Sequence, residues 1–175
     1  MRTLVAHHAL EIVLVVTCGV LAALSPQFLT ADNLLNVLRS VAEIGIIALG
    51  MTLVIVAGEI DLSVGSLVAF SGSLLAVLVA AGVSLPVAIA AALVAGTAAG
   101  CATGLMRAAF GVPSFITSLA LLTVLRGGAL RLTGGFPIAP FETSFNFPGS
   151  GRVQGVPVPV LILAAVFVVT WLVKD

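Results

Sequence analysis

The chain has 175 residues, of which 61% are hydrophobic and 8% are charged, and its formal net charge is zero. Soluble domains carry roughly 25% charged residues. This composition therefore excludes a soluble globular protein and predicts an all-α, polytopic transmembrane helical bundle. Because no cluster of basic residues is available to neutralise phosphates, we also expect no nucleic-acid partner.

About six apolar runs are predicted to cross the membrane, since one crossing takes about 20 helical residues. The first covers residues 9–24 and ends before Pro26, which cannot continue a helix. A short amphipathic stretch follows, and Thr30 or Asp32 can cap it. This stretch either lies at the membrane interface or begins the second span, which ends near Ala57.

Residues 62–106 contain no charged residue and no histidine. As one helix they would be about 68 Å long, too long for a single crossing. The turn signals at residues 81–86 therefore predict a break between a third and a fourth span. The remaining predicted elements are a fifth span that opens at 111–114 and ends between 126 and 131, a polar loop over 133–159 and a sixth span over 158–173.

Basic residues near the ends of the spans predict the orientation of the chain. Lys and Arg in short flanks favour the cytoplasm. Arg2, Arg107 and Lys174 all fall on that side if the amino terminus is cytoplasmic and six crossings follow, although other arginines fall on the outer side. We therefore expect a multi-pass membrane protein with a cytoplasmic amino terminus.

The second and third spans are separated by a polar segment, residues 58–66, which reads GEIDLSVGS and holds two of the seven acidic residues. Asp61 or Ser63 can cap the third span, and Gly58 and Gly65 permit backbone angles that other residues avoid. We call this segment the break. The sequence is compatible with a capped helix junction alone, or with one that also shapes a translocation path, as broken helices do in transporters.

Two further features have structural interpretations. Gly96, Gly100 and Gly104 recur every four residues on the fourth span, which predicts a helix face that packs closely against another helix. Glu43 is the only charge predicted inside the second span, and it either reaches the headgroup region or faces protein or water.

Catalytic and metal-binding patterns are lacking in the sequence. It contains neither an H-E-x-x-H nor a G-x-S-x-G motif, and its only lysine is Lys174, so a phosphate-binding G-x-x-x-x-G-K loop is impossible. We therefore expect no enzyme activity, no metal site and no ATP bound by this route.

Several segments resemble one known family in the same order along the chain. They are IIALGMTLVIV at 46–56, the break itself, SPQFLTADNLLN at 25–36, VPSFITSL at 112–119, Arg126-Gly127-Gly128, and GVPVP at 155–159. Together they are similar to the membrane permease subunits of ribose- and xylose-type ATP-binding-cassette sugar importers. The chain departs from the family at Glu59, where glycine is usual, and in length, since family members are nearly twice as long. We therefore expect residues 1–175 to form a single permease module equivalent to the amino-terminal half.

The resemblance implies a location in the bacterial inner membrane, a homodimer with the sugar pathway between subunits, a periplasmic sugar-binding protein and a cytoplasmic ATPase. ATP would then bind to that separate subunit, and this chain, surrounded by membrane lipid, would hold no cofactor. The residues expected to form the pathway or its gate are Glu59, Asp61, Ser63, Ser66, Ser71 and Ser73. Two alternatives are half of a secondary transporter, in which Glu59 and Asp61 bind a proton or cation, and a truncated remnant that does not transport.

Overall fold

The structure, a computed structural model, describes residues 8–139 and 143–173. The elements in this part of the chain are α1 (Ala9–Leu24), α2 (Ala31–Val56), α3 (Val64–Ala80), α4 (Leu85–Phe110), α5 (Ser114–Thr133), α6 (Thr143–Ser150), β1 (Arg152–Val153), β2 (Val156–Pro157) and α7 (Val158–Val173). By length and composition, α2, α4 and α5 can each cross a membrane, while α1, α3 and α7 are shorter apolar helices. The predicted all-α membrane bundle is confirmed. Arg2 and Lys174, on which the predicted orientation partly depends, lie outside the described residues.

Local signals set the helix ends much as the sequence predicts. The Thr30 side chain accepts a hydrogen bond from the Asn33 backbone nitrogen over 3.4 Å and so caps α2. The amphipathic stretch is thus the start of the second span, in one helix of 26 residues that is about 39 Å long. At the other connection, Gly111 ends α4 with a φ of 65°, and α5 begins directly after Pro113.

Helices α2, α3, α4, α5 and α7 pack in two groups. Helix α2 packs along α7, whereas α3 packs against both α4 and α5. Each group has one glycine at a close approach. A Cβ on Gly45 would lie 3.1 Å from Leu163 of α7, and a Cβ on Gly128 would lie 2.9 Å from Phe70 of α3. These glycines let the helices approach closely, as small residues do in membrane bundles.

The predicted glycine face of α4 has a different environment. A Cβ on Gly96, Gly100 or Gly104 would meet nothing within 4 Å in the described part of the chain. In the described part of the chain, this face of α4 borders open space. Gly96 lines a groove between α3 and α4, and Gly100 and Gly104 line a cavity beside the break. Close packing of this face against a further helix stays a prediction.

The segment from 133 to 159 contains more regular structure than the predicted polar loop. After the end of α5 it forms the short helix α6 and then an antiparallel hairpin, in which Val153 pairs with Val156. The two turn residues, Gln154 and Gly155, have φ values of 50° and 85°, as a tight hairpin turn requires. Arg152 Nη1 lies 2.9 Å from Asp32 Oδ1, so the hairpin is tied to the start of α2.

Candidate functional site

The break connects α2 to α3 at the same end of the molecule as the connection between α4 and α5. Helix α2 ends where Gly58 takes a φ of +74°, which glycine adopts without strain. The N–H groups of Gly58 and Glu59 still donate to carbonyls in the last turn of α2, over 2.9 and 3.1 Å. The expected role of Gly58 is confirmed, whereas Gly65 lies in the first turn of α3.

Asp61 organises the start of α3. Its Oδ1 atom accepts from the backbone nitrogen of Ser63 over 2.7 Å and from the Ser63 hydroxyl over 2.6 Å. Ser63 occupies the N-cap position, and its carbonyl accepts from the Leu67 nitrogen over 2.8 Å. Asp61 therefore fixes the residue at the cap position from outside the helix. Neither the Asp61 nor the Ser63 side chain bonds an N–H group of the first turn of α3, so the predicted side-chain cap is not formed.

Ser63 and Ser66 are buried in this connection. The Ser63 hydroxyl donates to Asp61, and the Ser66 hydroxyl donates to the Ser63 carbonyl over 2.7 Å. Ser63 is only 2% exposed. Both hydroxyls therefore hold the break together, so a direct part in lining a pathway stays a prediction.

Two serines of α5 hold the backbone of Ile60. The Ile60 nitrogen donates to Ser114 Oγ over 3.1 Å, and the Ser118 hydroxyl donates to the Ile60 carbonyl over 3.4 Å. Both serines are buried, with Ser118 at 0% exposure. A backbone group that lies outside a helix and away from water needs such a partner. Our sequence reasoning missed these serines, although their spacing of four places them on one face of an apolar helix.

Glu59 forms an ion pair with the last turn of α4. Arg107 Nε lies 2.6 Å from Glu59 Oε1, and the two side chains are 51% and 27% exposed, respectively. A hydrogen bond from Ser114, and then the Arg107 guanidinium, hold the pKa of Glu59 below its usual range. The charge by which this chain departs from the family pattern is thus paired. The sequence analysis used Arg107 only for orientation.

A cavity of about 250 Å³ lies beside the break. It is lined by the end of α2, the break, one face of α4 and the start of α5, through Val54, Ala57, Glu59, Ile60, Asp61, Gly100, Thr103, Gly104, Arg107 and Ser114. The two acidic residues and the arginine lie together among its walls. The break therefore borders a partly open cavity and is more than a connecting turn.

The two remaining candidate serines lie further along α3. Ser71 lines a separate groove of about 610 Å³ between α3 and α4, whose other walls are mainly apolar. Ser73 is half-buried on the same helix. Residues two apart on a helix point about 200° away from each other, so Ser71 and Ser73 cannot line one groove.

Comparison with known proteins places the chain among transport permeases. Residues 33–175 match the family described as branched-chain amino acid transport system / permease component. The chain is 44% identical to the ribose import permease protein RbsC of Bacillus subtilis over 87% of its own length and 48% of the relative's. It is 42% identical to RbsC of Escherichia coli K12, over 91% of the chain and 51% of the relative.

A third relative is the L-arabinose ABC transporter permease protein AraH of Azospirillum brasilense, which is 36% identical over 90% of the chain and 46% of the relative. The chain thus spans about half the length of these curated relatives. No solved structure matches it. Since the family match covers most of its residues, the chain belongs to the permease family of branched-chain amino acid transport systems.

Proposed function

We propose that this chain forms part of the translocation pathway of an ATP-driven importer for monosaccharides. The observation that carries the proposal is its identity of 42–44% to ribose import permeases over 87% or more of its length. The L-arabinose permease, also a relative, handles a sugar of the same size class and supports the same substrate class. Which sugar is carried would depend largely on the protein that delivers it.

The partners follow from this role. A cytoplasmic ATPase would drive transport, a periplasmic sugar-binding protein would deliver the sugar, and a second permease subunit would complete the pathway within the lipid of the inner membrane. The chain itself would neither hydrolyse ATP nor hold a cofactor. With the amino terminus in the cytoplasm, the break and Arg107 would face the cytoplasm, and the hairpin at Arg152 would face the periplasm.

Within the pathway we infer two kinds of role. Asp61, Ser63 and Ser66 would shape the break, because their hydrogen bonds lie inside it. Ser71 would contact sugar directly from its groove between α3 and α4, since an uncharged sugar needs hydroxyl partners on the protein. Ser73 would serve a second surface of α3.

The ion pair argues against the main alternative, a secondary transporter driven by protons or cations. Such a mechanism needs a carboxylate that is free to take up the ion. Glu59 is paired with Arg107, and Asp61 already accepts two hydrogen bonds from Ser63. Glu59 is thus engaged as the carboxylate of an ion pair, and Asp61 as the acceptor that fixes Ser63.

Uptake of radiolabelled D-ribose tests the proposal. The chain is produced together with its ATPase and sugar-binding protein in cells that lack their own ribose importers. We expect uptake that stops when ATP is depleted and persists when an uncoupler collapses the proton gradient. Uptake that follows the proton gradient and ignores ATP would establish the secondary transporter. If the three proteins do not copurify and no uptake occurs, the chain is a non-transporting remnant.

A further inference from the structure

The cavity beside the break has the size of a small-ligand site. Pockets for drug-sized molecules enclose roughly 300–1,000 Å³. At about 250 Å³, this cavity suits a smaller molecule. Its space depends on Gly100 and Gly104, because a Cβ on either would point into open space and meet nothing within 4 Å among the described residues.

The polar groups at this cavity keep unused hydrogen-bonding capacity. Arg107 engages Glu59 through Nε, and in the described part of the chain its two terminal amino groups have no hydrogen-bond partner. The bonds from Ser63 reach only Oδ1 of Asp61, which leaves Oδ2 available as an acceptor. The Thr103 hydroxyl donates to the Ala99 carbonyl and can still accept. The cavity thus offers both donors and acceptors.

The charges indicate which ligand chemistry fits. Glu59 and Asp61 contribute two negative charges and Arg107 one positive charge, so the lining has a net charge of about −1. An anion such as a sugar phosphate would be repelled overall. A neutral polyol fits better, because each of its hydroxyls both donates and accepts, and carboxylate and guanidinium groups supply the matching partners.

We propose that this cavity is a binding station for one neutral monosaccharide, held between Arg107 and Asp61 beside the break. The inference rests on the proposed function, and it adds a location for the sugar that neither the family match nor the relatives' names supply. Gly100 and Gly104 provide the room, and the Glu59 carboxylate holds the guanidinium in place. In the proposed orientation the station lies at the cytoplasmic end of the pathway, where the sugar would be released.

The test is direct sugar binding. The purified chain is placed in phosphatidylcholine nanodiscs, without maltoside detergent because its sugar headgroup would compete. Saturation-transfer difference NMR then follows a titration with D-ribose. We expect a saturable ribose signal. We also expect D-xylose to displace bound ribose more effectively than ribose 5-phosphate does. A better displacement by the phosphate would identify an anion site, and the absence of a saturable signal would mean that the cavity holds only water; either result overturns the proposal.

Two variants and one control locate the binding. Gly100→Leu fills the cavity and should abolish the saturable signal. Arg107→Lys keeps a cation beside Glu59 but removes the guanidinium fork, and should weaken binding at least about tenfold. Gly50→Leu adds the same side chain to an open position on α2 and should leave binding unchanged. If Gly100→Leu does not fold, Arg107→Lys decides alone, and unchanged ribose affinity in that variant would overturn the proposal.

Uptake by the complete importer separates this proposal from the proposed function. If the parent chain supports uptake and Gly100→Leu leaves both uptake and binding intact, the station is wrong and the transport function stands. If the parent chain supports no uptake but binds ribose in a way that Gly100→Leu abolishes, the site stands and the importer function falls.

Discussion

Arg107 donates from Nε to Oε1 of Glu59 over 2.6 Å, although the two residues are 48 positions apart in the chain. The contact ties the connection between α2 and α3 to the last turn of α4. It lies at the end of the molecule where Ser114 and Ser118 also hold Ile60. Side chains from α4 and α5 thus hold two consecutive residues of the break, Glu59 and Ile60.

Removing either member of this ion pair should destabilise the fold slightly. Because the pair is partly exposed, solvent screens it and its contribution is small. We expect Glu59→Gln and Arg107→Gln each to lower the melting temperature measured by circular dichroism in nanodiscs. The double variant Glu59→Arg/Arg107→Glu should recover most of that loss. If the reversed pair is less stable than both single variants, direct attraction between these side chains does not stabilise the break.

The pairing should also make stability depend on pH. Ser114 and Arg107 lower the pKa of Glu59 in the folded state relative to the unfolded state. The unfolded chain therefore binds the proton more readily, so the stabilisation is complete above the usual glutamate range and is lost as pH falls through the lowered pKa. We expect the melting temperature of the parent chain to fall more between pH 6 and pH 3 than that of Glu59→Gln. Parallel pH profiles for the two proteins would contradict this origin of the shift.

Gly128 and Gly127 provide a matched pair on α5. Gly128→Ala would place a Cβ 2.9 Å from Phe70 Cε2, whereas Gly127→Ala would meet nothing within 4 Å in the described residues. Overpacking costs about 1–3 kcal/mol, while alanine in a helix gains up to about 1 kcal/mol over glycine. We expect Gly128→Ala to lower the free energy of unfolding in an SDS titration and Gly127→Ala to maintain or raise it. Equal effects would show that α3 and α5 do not depend on this close approach.

We expect the Asp61 side chain to be required for uptake because its Oδ1 atom accepts the two hydrogen bonds from Ser63. Asp61→Ala leaves the Ser63 nitrogen and hydroxyl without their partner, which costs about 1–3 kcal/mol when such groups are buried. We expect this variant to abolish ribose uptake by the complete importer at normal membrane levels, judged by immunoblot. Asp61→Asn keeps an oxygen in place and should retain most of the uptake. Normal uptake by Asp61→Ala would contradict a role for the break in transport.

The helices and most of their ends could be predicted from the sequence because their causes are local. Apolar runs give the spans, Thr30 caps α2, and Gly111 with Pro113 separates α4 from α5. Glu43 illustrates how far local reasoning extends. It lies 3.7 Å from Arg39, one turn earlier on α2, and a spacing of four along one helix is enough to bring such a pair together.

The contacts that complete the site were not predictable in this way, because their members are distant in sequence. Nothing in the sequence around Arg107 indicates that Glu59 is its partner. The role of Ser114 and Ser118 can be recognised only once the structure places α5 beside the break. The hairpin is different. The dipeptide Gln154-Gly155 lies between two valines and is a local turn signal that the sequence analysis did not use.

The serine contacts to Ile60 also bear on how the chain is made. The backbone of Ile60 depends on hydroxyls that follow it by 54 and 58 residues. While the ribosome is still synthesising α4, those partners do not yet exist. The break between α2 and α3 therefore completes its hydrogen bonds only after α5 has been synthesised. Until then, the backbone of Ile60 has to be satisfied by water or by temporary partners.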